Sequence, residues 1–368
     1  MHIHTARLLA VASTATLVAL GAAGPAAADG GDGKKHGPPA AFSIQAAVDA
    51  AAPGDTVRIP PGTYRESITI QQDGISLRGG RGVVIEPAGA DPTACDTLDD
   101  PEADRVSGIC ILGQVDPETF EALDRVRGVS VRGVTVTGAS GDGLVALATE
   151  DLEVRDSRFT GNDGYGAASF DTEGTGFRNN KATGNAEAGF YIGDSEKAHA
   201  DVRGNYSADN QMGFFYRNAS VGKMQGNVAV GNCVGTLLLA GAPGPVIDWE
   251  LRKNEMSANN KLCEGDGEQG DPTLSGAGIA LVGAQDFRVR DNRVTDNVPA
   301  AADSALQGGI VVISSGSVPG LAPYDPTGAV ERNKAKGNEP ADLFWDGTGA
   351  VEFDDNRCRT SIPDGLCD

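Results

Sequence analysis

The stretch Asn180-Lys-Ala-Thr-Gly-Asn185 decides the fold, because the chain keeps returning to it. Downstream stand Asn205…Asn210, Asn227…Asn232, Asn254…Asn259, Asn292…Asn297 and Asn333…Asn338, and upstream Ser157…Asn162 has the same shape. In all seven copies two polar residues stand five apart. The residue two after the first is small or apolar: Phe159, Ala182, Ser207, Ala229, Met256, Val294 and Ala335. Successive first positions lie 23, 25, 22, 27, 38 and 41 residues apart. Recurrence at this period marks a stacked-repeat architecture, since one unit alone cannot bury its apolar face.

Around each copy the chain offers three short strands. One unit reads Leu152-Glu-Val, Ser157-Arg-Phe and Tyr165-Gly-Ala-Ala-Ser-Phe170; the next reads Gly176-Phe-Arg, Asn180-Lys-Ala and Gly189-Phe-Tyr-Ile192. Three strands closing in about two dozen residues make one coil of a parallel β-helix, rising one strand spacing of about 4.8 Å per coil. The asparagines then have a structural task at the bends. Each side-chain amide can donate to the equivalent carbonyl one coil away, and the turn geometry favours Asn and Gly. The longer later units are expected to carry inserted loops at 263–276, 298–308 and 316–327.

The expected class is all-β: a right-handed parallel β-helix of about ten coils over residues 42–368, with an N-terminal capping helix. Ile44, Ala47, Val48 and Ala51 have helical spacing after Ser43, an N-cap residue, and before Pro53-Gly54. An exposed end of a repeat stack needs such a lid. Residues 87–127 interrupt the repeat, and Pro117–Leu123 reads as helical.

Ahead of this domain, residues 1–28 read as a secretory signal peptide: Arg7, a short apolar run, and Ala26-Ala-Ala28 before Asp29. Residues 29–41 form a Gly/Asp/Lys/Pro tail with a disordered composition. The implied location is extracellular, the mature protein a monomer. Formal charge is −21, and −22 without Arg7. Such acidity argues against nucleic acid as partner, and no apolar run is long enough to span a membrane. Six cysteines allow fifteen pairings. The local pairs Cys95–Cys110, Cys233–Cys263 and Cys358–Cys367 are favoured, because each closes an irregular stretch. No C-x-x-C occurs, so a zinc site is not indicated.

Ser43-Ile-Gln-Ala-Ala-Val-Asp-Ala-Ala-Pro-Gly-Asp-Thr-Val-Arg-Ile-Pro-Pro-Gly-Thr-Tyr64 resembles the opening of pectin-lyase-like right-handed β-helix proteins. The repeats after Gly128 resemble NosD-type β-helix repeats. The ending, Asp342-Leu-Phe-Trp-Asp-Gly347 with Asn356-Arg-Cys-Arg-Thr-Ser361, resembles secreted actinobacterial members. The resemblance implies that a polysaccharide lies along one sheet and its flanking loops. The D-H, R-x-P-x-x-R, G-H-G, R-I-K and D-P-H-D motifs of the family's enzymes do not occur here.

The third strand of each coil is the natural candidate for such a surface. Alternation points Phe190/Ile192, Phe214/Tyr216 and Ile310/Val312 inward and Phe170, Tyr191, Phe215 and Arg217 outward. Glu150-Asp151, Asp171 with Glu173, and Asp194 with Glu196 fall at the ends of successive strands. Asp171, Asp194 and Arg217 are therefore the candidate catalytic residues. Phe170, Tyr191, Phe215, Glu173 and Glu196 are the candidate substrate contacts. Asp171 and Asp194 could also hold calcium, or serve as acid and base in glycoside cleavage. Alternatively, calcium or Arg217 would neutralise a uronate while a base removes the adjacent proton. A second class of reading makes the protein a non-catalytic scaffold whose loops bind another surface macromolecule.

Overall fold

The computed structural model describes residues 42–98, 102, 104–117, 119, 121–265 and 272–368. The leader and tail expected at 1–28 and 29–41 lie outside these residues. Residues 43–368 form one unit, built of parallel strands that repeat around a common axis.

Each coil has a front, a side and a back strand. The coil beginning at Leu144 shows the plan. Strand Leu144–Arg155 runs along the front, bends at Ala148 (φ 54°) and continues along the side. Its first half pairs with Ile109–Leu112 and its second with Val126–Arg127 and Ser130–Arg132. The back strand Arg158–Thr160 follows. Ten back strands, from Gly62–Tyr64 to Lys334–Lys336, form a parallel sheet of their own. Front and side strands hydrogen-bond onward into one larger sheet.

The repeated motif marks the two bends around the back strand. Asn179 (φ 56°) and Asn180 turn the chain into Lys181–Thr183, and Gly184 (φ 67°) and Asn185 turn it out again. A left-handed residue comes just before each ladder asparagine. That accounts for Gly184 and Asn179 at these positions, since both tolerate positive φ. Three strand residues plus two bends give the invariant spacing of five.

Inside the tube the core is continuous. Phe159, Ala182, Ser207, Ala229, Met256 and Val294 point inward from the back strands and are fully buried. On the front, Phe190, Ile192, Phe214, Tyr216, Ile310 and Val312 face the same core, as alternation requires. Phe177, Phe190 and Phe214 succeed one another with ring centroids 5.7 and 5.4 Å apart.

Both asparagine columns are hydrogen-bonded ladders. Asn180, Asn205, Asn227, Asn254, Asn292 and Asn333 each donate from Nδ2 to the Oδ1 one coil on, at 3.0–3.1 Å, ending at Asn356. The second column runs from Asn162 through Asn338, at 2.8–3.2 Å, and ends on Asp342. The other amide hydrogen goes to a backbone carbonyl, as from Asn205 to Phe177. Each Oδ1 also accepts a backbone N–H, as Asn205 does from Asn180. Buried amides survive in this interior because their groups are satisfied.

The lid is helix Ile44–Asp49, with Ser43 as N-cap accepting from Ala46 N at 3.1 Å. Ile44 and Val48 enter the core. Glu66 also accepts from Ile44 N (2.7 Å), Gln45 N (3.2 Å) and Ser43 Oγ (2.8 Å). The helical reading of Pro117–Leu123 is overturned: Gln114–Val115 and Ala122–Asp124 form an antiparallel hairpin. Within that segment, positions 118 and 120 lie outside the described residues. The favoured disulfides are present, Cys95–Cys110, Cys233–Cys263 and Cys358–Cys367, with Cα atoms 5.7, 6.0 and 5.3 Å apart.

Candidate functional site at the front face

The outward side of the front sheet is apolar. Tyr165, Ala168, Tyr191, Met212, Phe215 and Leu237 form a second cluster outside the tube, continued by Ala280, Val282, Val311 and Ile313. Leu274 and Leu306 join it from the inserted loops, with Val318 and Leu321 packed against it. Tyr191 stacks on Tyr165 with centroids 4.6 Å apart and meets Phe170 at 4.8 Å and Phe215 at 5.2 Å. Its ring lies over Gly193, where a Cβ would come within 2.0 Å of the Tyr191 hydroxyl. Gly193 thus makes room for the ring.

The expected sugar platform is corrected here. Phe170, Tyr191 and Phe215 do point outward, yet Tyr191 is 0% and Phe215 4% exposed, and Phe170 is half-buried. Alternation assigns a face to a side chain, and contacts from elsewhere in the chain decide whether that face is wet.

The expected carboxylate ribbon is a column of left-handed bends. Ala148, Asp171, Asp194 and Asn218 share one register between front and side strands, with φ of 54°, 44°, 51° and 48°. Asp and Asn suit that backbone, which explains much of their recurrence. Asp171 is committed elsewhere: Oδ1 pairs with the Arg125 guanidinium at 2.5 Å, and Oδ2 accepts from Ala122 N at 3.1 Å. Arg125 also reaches Glu173 at 3.9 Å. Asp194 accepts from Asn218 Nδ2 at 2.8 Å, and Arg217 donates to the Ala242 carbonyl at 2.7 Å. Glu196 is exposed. Among the described residues no three His, Cys, Asp or Glu side chains gather as a metal cage. With its oxygens held by a cation and an N–H, Asp171 does not fit the calcium site expected of it with Asp194.

The opposite edge holds what the sequence reading missed. Asp142 and Tyr165 occupy equivalent positions in successive coils, two residues before Leu144 and Ala167. Asp142 accepts from Tyr165 N at 2.7 Å, and its own N–H donates to Ser107 Oγ at 3.0 Å. Burial, helped by Glu187 and Asp96, pushes its carboxyl up to about 7 against the pull of the Tyr165 N–H and Arg105. Burial likewise pushes the Tyr165 and Tyr191 phenols up, with Glu187 beside the first and Asp194 beside the second; Arg217 pulls Tyr191 the other way. The available signal was positional: Asp142, Tyr165 and Glu187 sit in the linker between second ladder position and front strand. A carboxyl near 7 flanked by the Glu187 carboxylate and the Tyr165 phenol can exchange protons at neutral pH.

Residues 66–248 match the family model described as "Right handed beta helix region". No curated protein sequence matches the chain. Among solved structures, the Azotobacter vinelandii mannuronan C-5 epimerase AlgE4 A-module aligns with a TM-score of 0.53 at 20% identity, over 85% of this chain and 90% of that one. A variant of the periplasmic alginate epimerase AlgG gives 0.58 at 15% identity, over 80% of this chain and 62% of that one. The Yersinia enterocolitica family 28 exopolygalacturonase gives 0.50 at 14%, over 86% and 72%. The chain is a right-handed parallel β-helix repeat protein, and it shares that fold with proteins that process polysaccharides.

Proposed function

We propose that the protein binds and processes a uronate-containing polysaccharide outside the cytoplasm, the sugar chain passing the Asp142 edge of the front sheet. Asp142 is the proton-transfer group in this reading. Its ionised form takes the proton on the carbon next to the uronate carboxyl; the neighbouring glycosidic oxygen then leaves with a proton from the Tyr165 phenol, or that phenol protonates the opposite face of the same carbon. The observation that carries the reading is a carboxyl held near 7, beside Glu187 and Tyr165, at the edge of a broad sheet face. At the far edge Arg217 is 7% exposed and held by the Ala242 carbonyl, so with Asp171 and Asp194 it shapes the bend there and does not meet the substrate. The three disulfides fit an oxidising compartment, consistent with the leader read at residues 1–28.

The test incubates the protein with pectate and alginate, following unsaturated product by ultraviolet absorbance and epimerised product by proton NMR. Product from the wild type and none from Asp142→Asn is expected. The closed packing of Tyr191 and Phe215 favours a second reading, a non-catalytic scaffold. Absence of product, together with absence of uronan binding, would sink the uronate reading and leave the scaffold.

A further inference from the structure

The side face carries a feature that the front-face reading does not use. The outward residue ending each side strand is Arg58, Arg78, Arg132, Arg155, Arg178, Arg203, Gln225, Arg252 and Arg290 in turn, all in one register. Eight of nine rungs are arginine in a chain of net charge −21. At a strand spacing of about 4.8 Å the column extends roughly 38 Å. Beyond Arg290 its sign reverses, at Glu331 and Asp354.

Such a column has an intrinsic cost. Like charges directly opposite one another on neighbouring strands repel. The outward column two residues upstream avoids this by alternating: Asp201, Lys223, Glu250 and Arg288. A face under selection for solubility alone has no use for a run of eight arginines interrupted once, by neutral Gln225. None of the eight guanidinium side chains is buried. Carboxylates beside the column offset part of the repulsion: Arg132 pairs with Asp156 at 2.9 Å, Arg155 with Glu153 at 3.7 Å, Arg178 with Glu153 and Asp201 each at 2.7 Å, Arg203 with Asp201, and Arg290 with Glu250 at 2.5 Å. These pairs are half-buried and still reached by solvent, so a ligand carboxylate can compete for the guanidinium groups. Beside the column runs a groove of about 1120 Å³, lined among others by Asp201, Arg203, Lys223, Glu250, Arg288 and Glu352.

We infer that this arginine register is a binding track for a linear polyanionic polysaccharide, separate from the front face. One cation per coil meets one carboxylate per sugar or per few sugars along an extended chain. The planar guanidinium fork grips a carboxylate through two parallel hydrogen bonds, which lysine cannot do. The choice of a carboxylate polymer rests on the uronate reading above; the track itself follows from register and charge.

The test measures retention of the full-length protein by polygalacturonate in affinity electrophoresis and titration calorimetry, across a range of salt. Arg178→Gln/Arg203→Gln/Arg252→Gln is expected to weaken binding at least tenfold and flatten its salt dependence. The corresponding triple lysine variant should recover part of the affinity. Lys261→Gln/Lys336→Gln/Arg359→Gln, a loss of equal charge elsewhere, should change affinity less than threefold. Unchanged binding by the first triple variant overturns the track while leaving the uronate reading in place. Equal weakening by the control triple reduces the effect to net charge and also overturns it. No binding of uronan by the wild type overturns both.

Discussion

The back and the front of each coil are made by the same repeat and obey different rules. On the back, a three-residue strand sits between two asparagine bends, and the spacing of five never changes. On the front, the distance from one coil to the next grows from 22 to 41 residues, and the extra chain becomes loops that pack on the sheet. The back is held by buried amides whose partners lie one coil away, so any insertion there breaks two rungs. The front is held by apolar contact, which is non-directional and tolerates insertion. Variation therefore collects where a loop can cover a strand, and so do the candidate site residues.

The most severe challenge to that contrast is Phe215→Ala. If the front aromatics are a second core, the substitution should cost about 3–5 kcal/mol in denaturant unfolding. A loss below one kcal/mol would restore the exposed sugar platform. Next comes the ladder. Asn227→Ala removes the acceptor used by Asn205 N (2.9 Å) and Asn205 Nδ2 (3.0 Å). Leaving such groups unsatisfied should cost about 2–3 kcal/mol. Lys181→Ala, on the exposed side of a back strand, should stay within about 0.5 kcal/mol. Equal effects from the two would mean the amides do not hold the back.

Asp142 gives a test by pH. Its folded carboxyl titrates at about 7 against 3.8 for the free group, so the folded state binds more protons between those values. Stability must then fall as pH rises from about 4 to 7, with a slope of at most about 1.4 kcal/mol per unit from this group. Asp142→Asn should lose that slope and be more stable than wild type at pH 7.5, as thermal melts across pH would show. An unchanged slope removes Asp142 as the proton-transfer group. The smallest effect concerns the core. Tyr216 is stacked 4.0 Å from Trp249, and its hydroxyl is buried with no hydrogen-bond partner among the described residues. Tyr216→Phe should raise stability by about 1 kcal/mol; a decrease would mean the hydroxyl is satisfied by water.

The sequence by itself determined the coil. Positions five apart, one inward residue between them and a left-handed residue before each are local facts, and Asn180-Lys-Ala-Thr-Gly-Asn185 states them all. Ser43 as a helix cap was equally local, although its partner Glu66 was not. Tertiary structure alone decided what happens on the outward faces. Tyr191 and Phe215 were placed on the correct side by alternation, but their burial depends on contacts that strand periodicity does not encode. Asp171 was legible as an acid and not as the partner of Arg125, which is 46 residues away. Asp142 acquires its raised carboxyl from burial first, with Glu187 and Asp96, distant in sequence, adding to it. The arginine register appears only when strands are stacked, because its members lie 20 to 54 residues apart. Bends and strands are set by neighbours along the chain, whereas wetness, charge and proton affinity are set by neighbours across it.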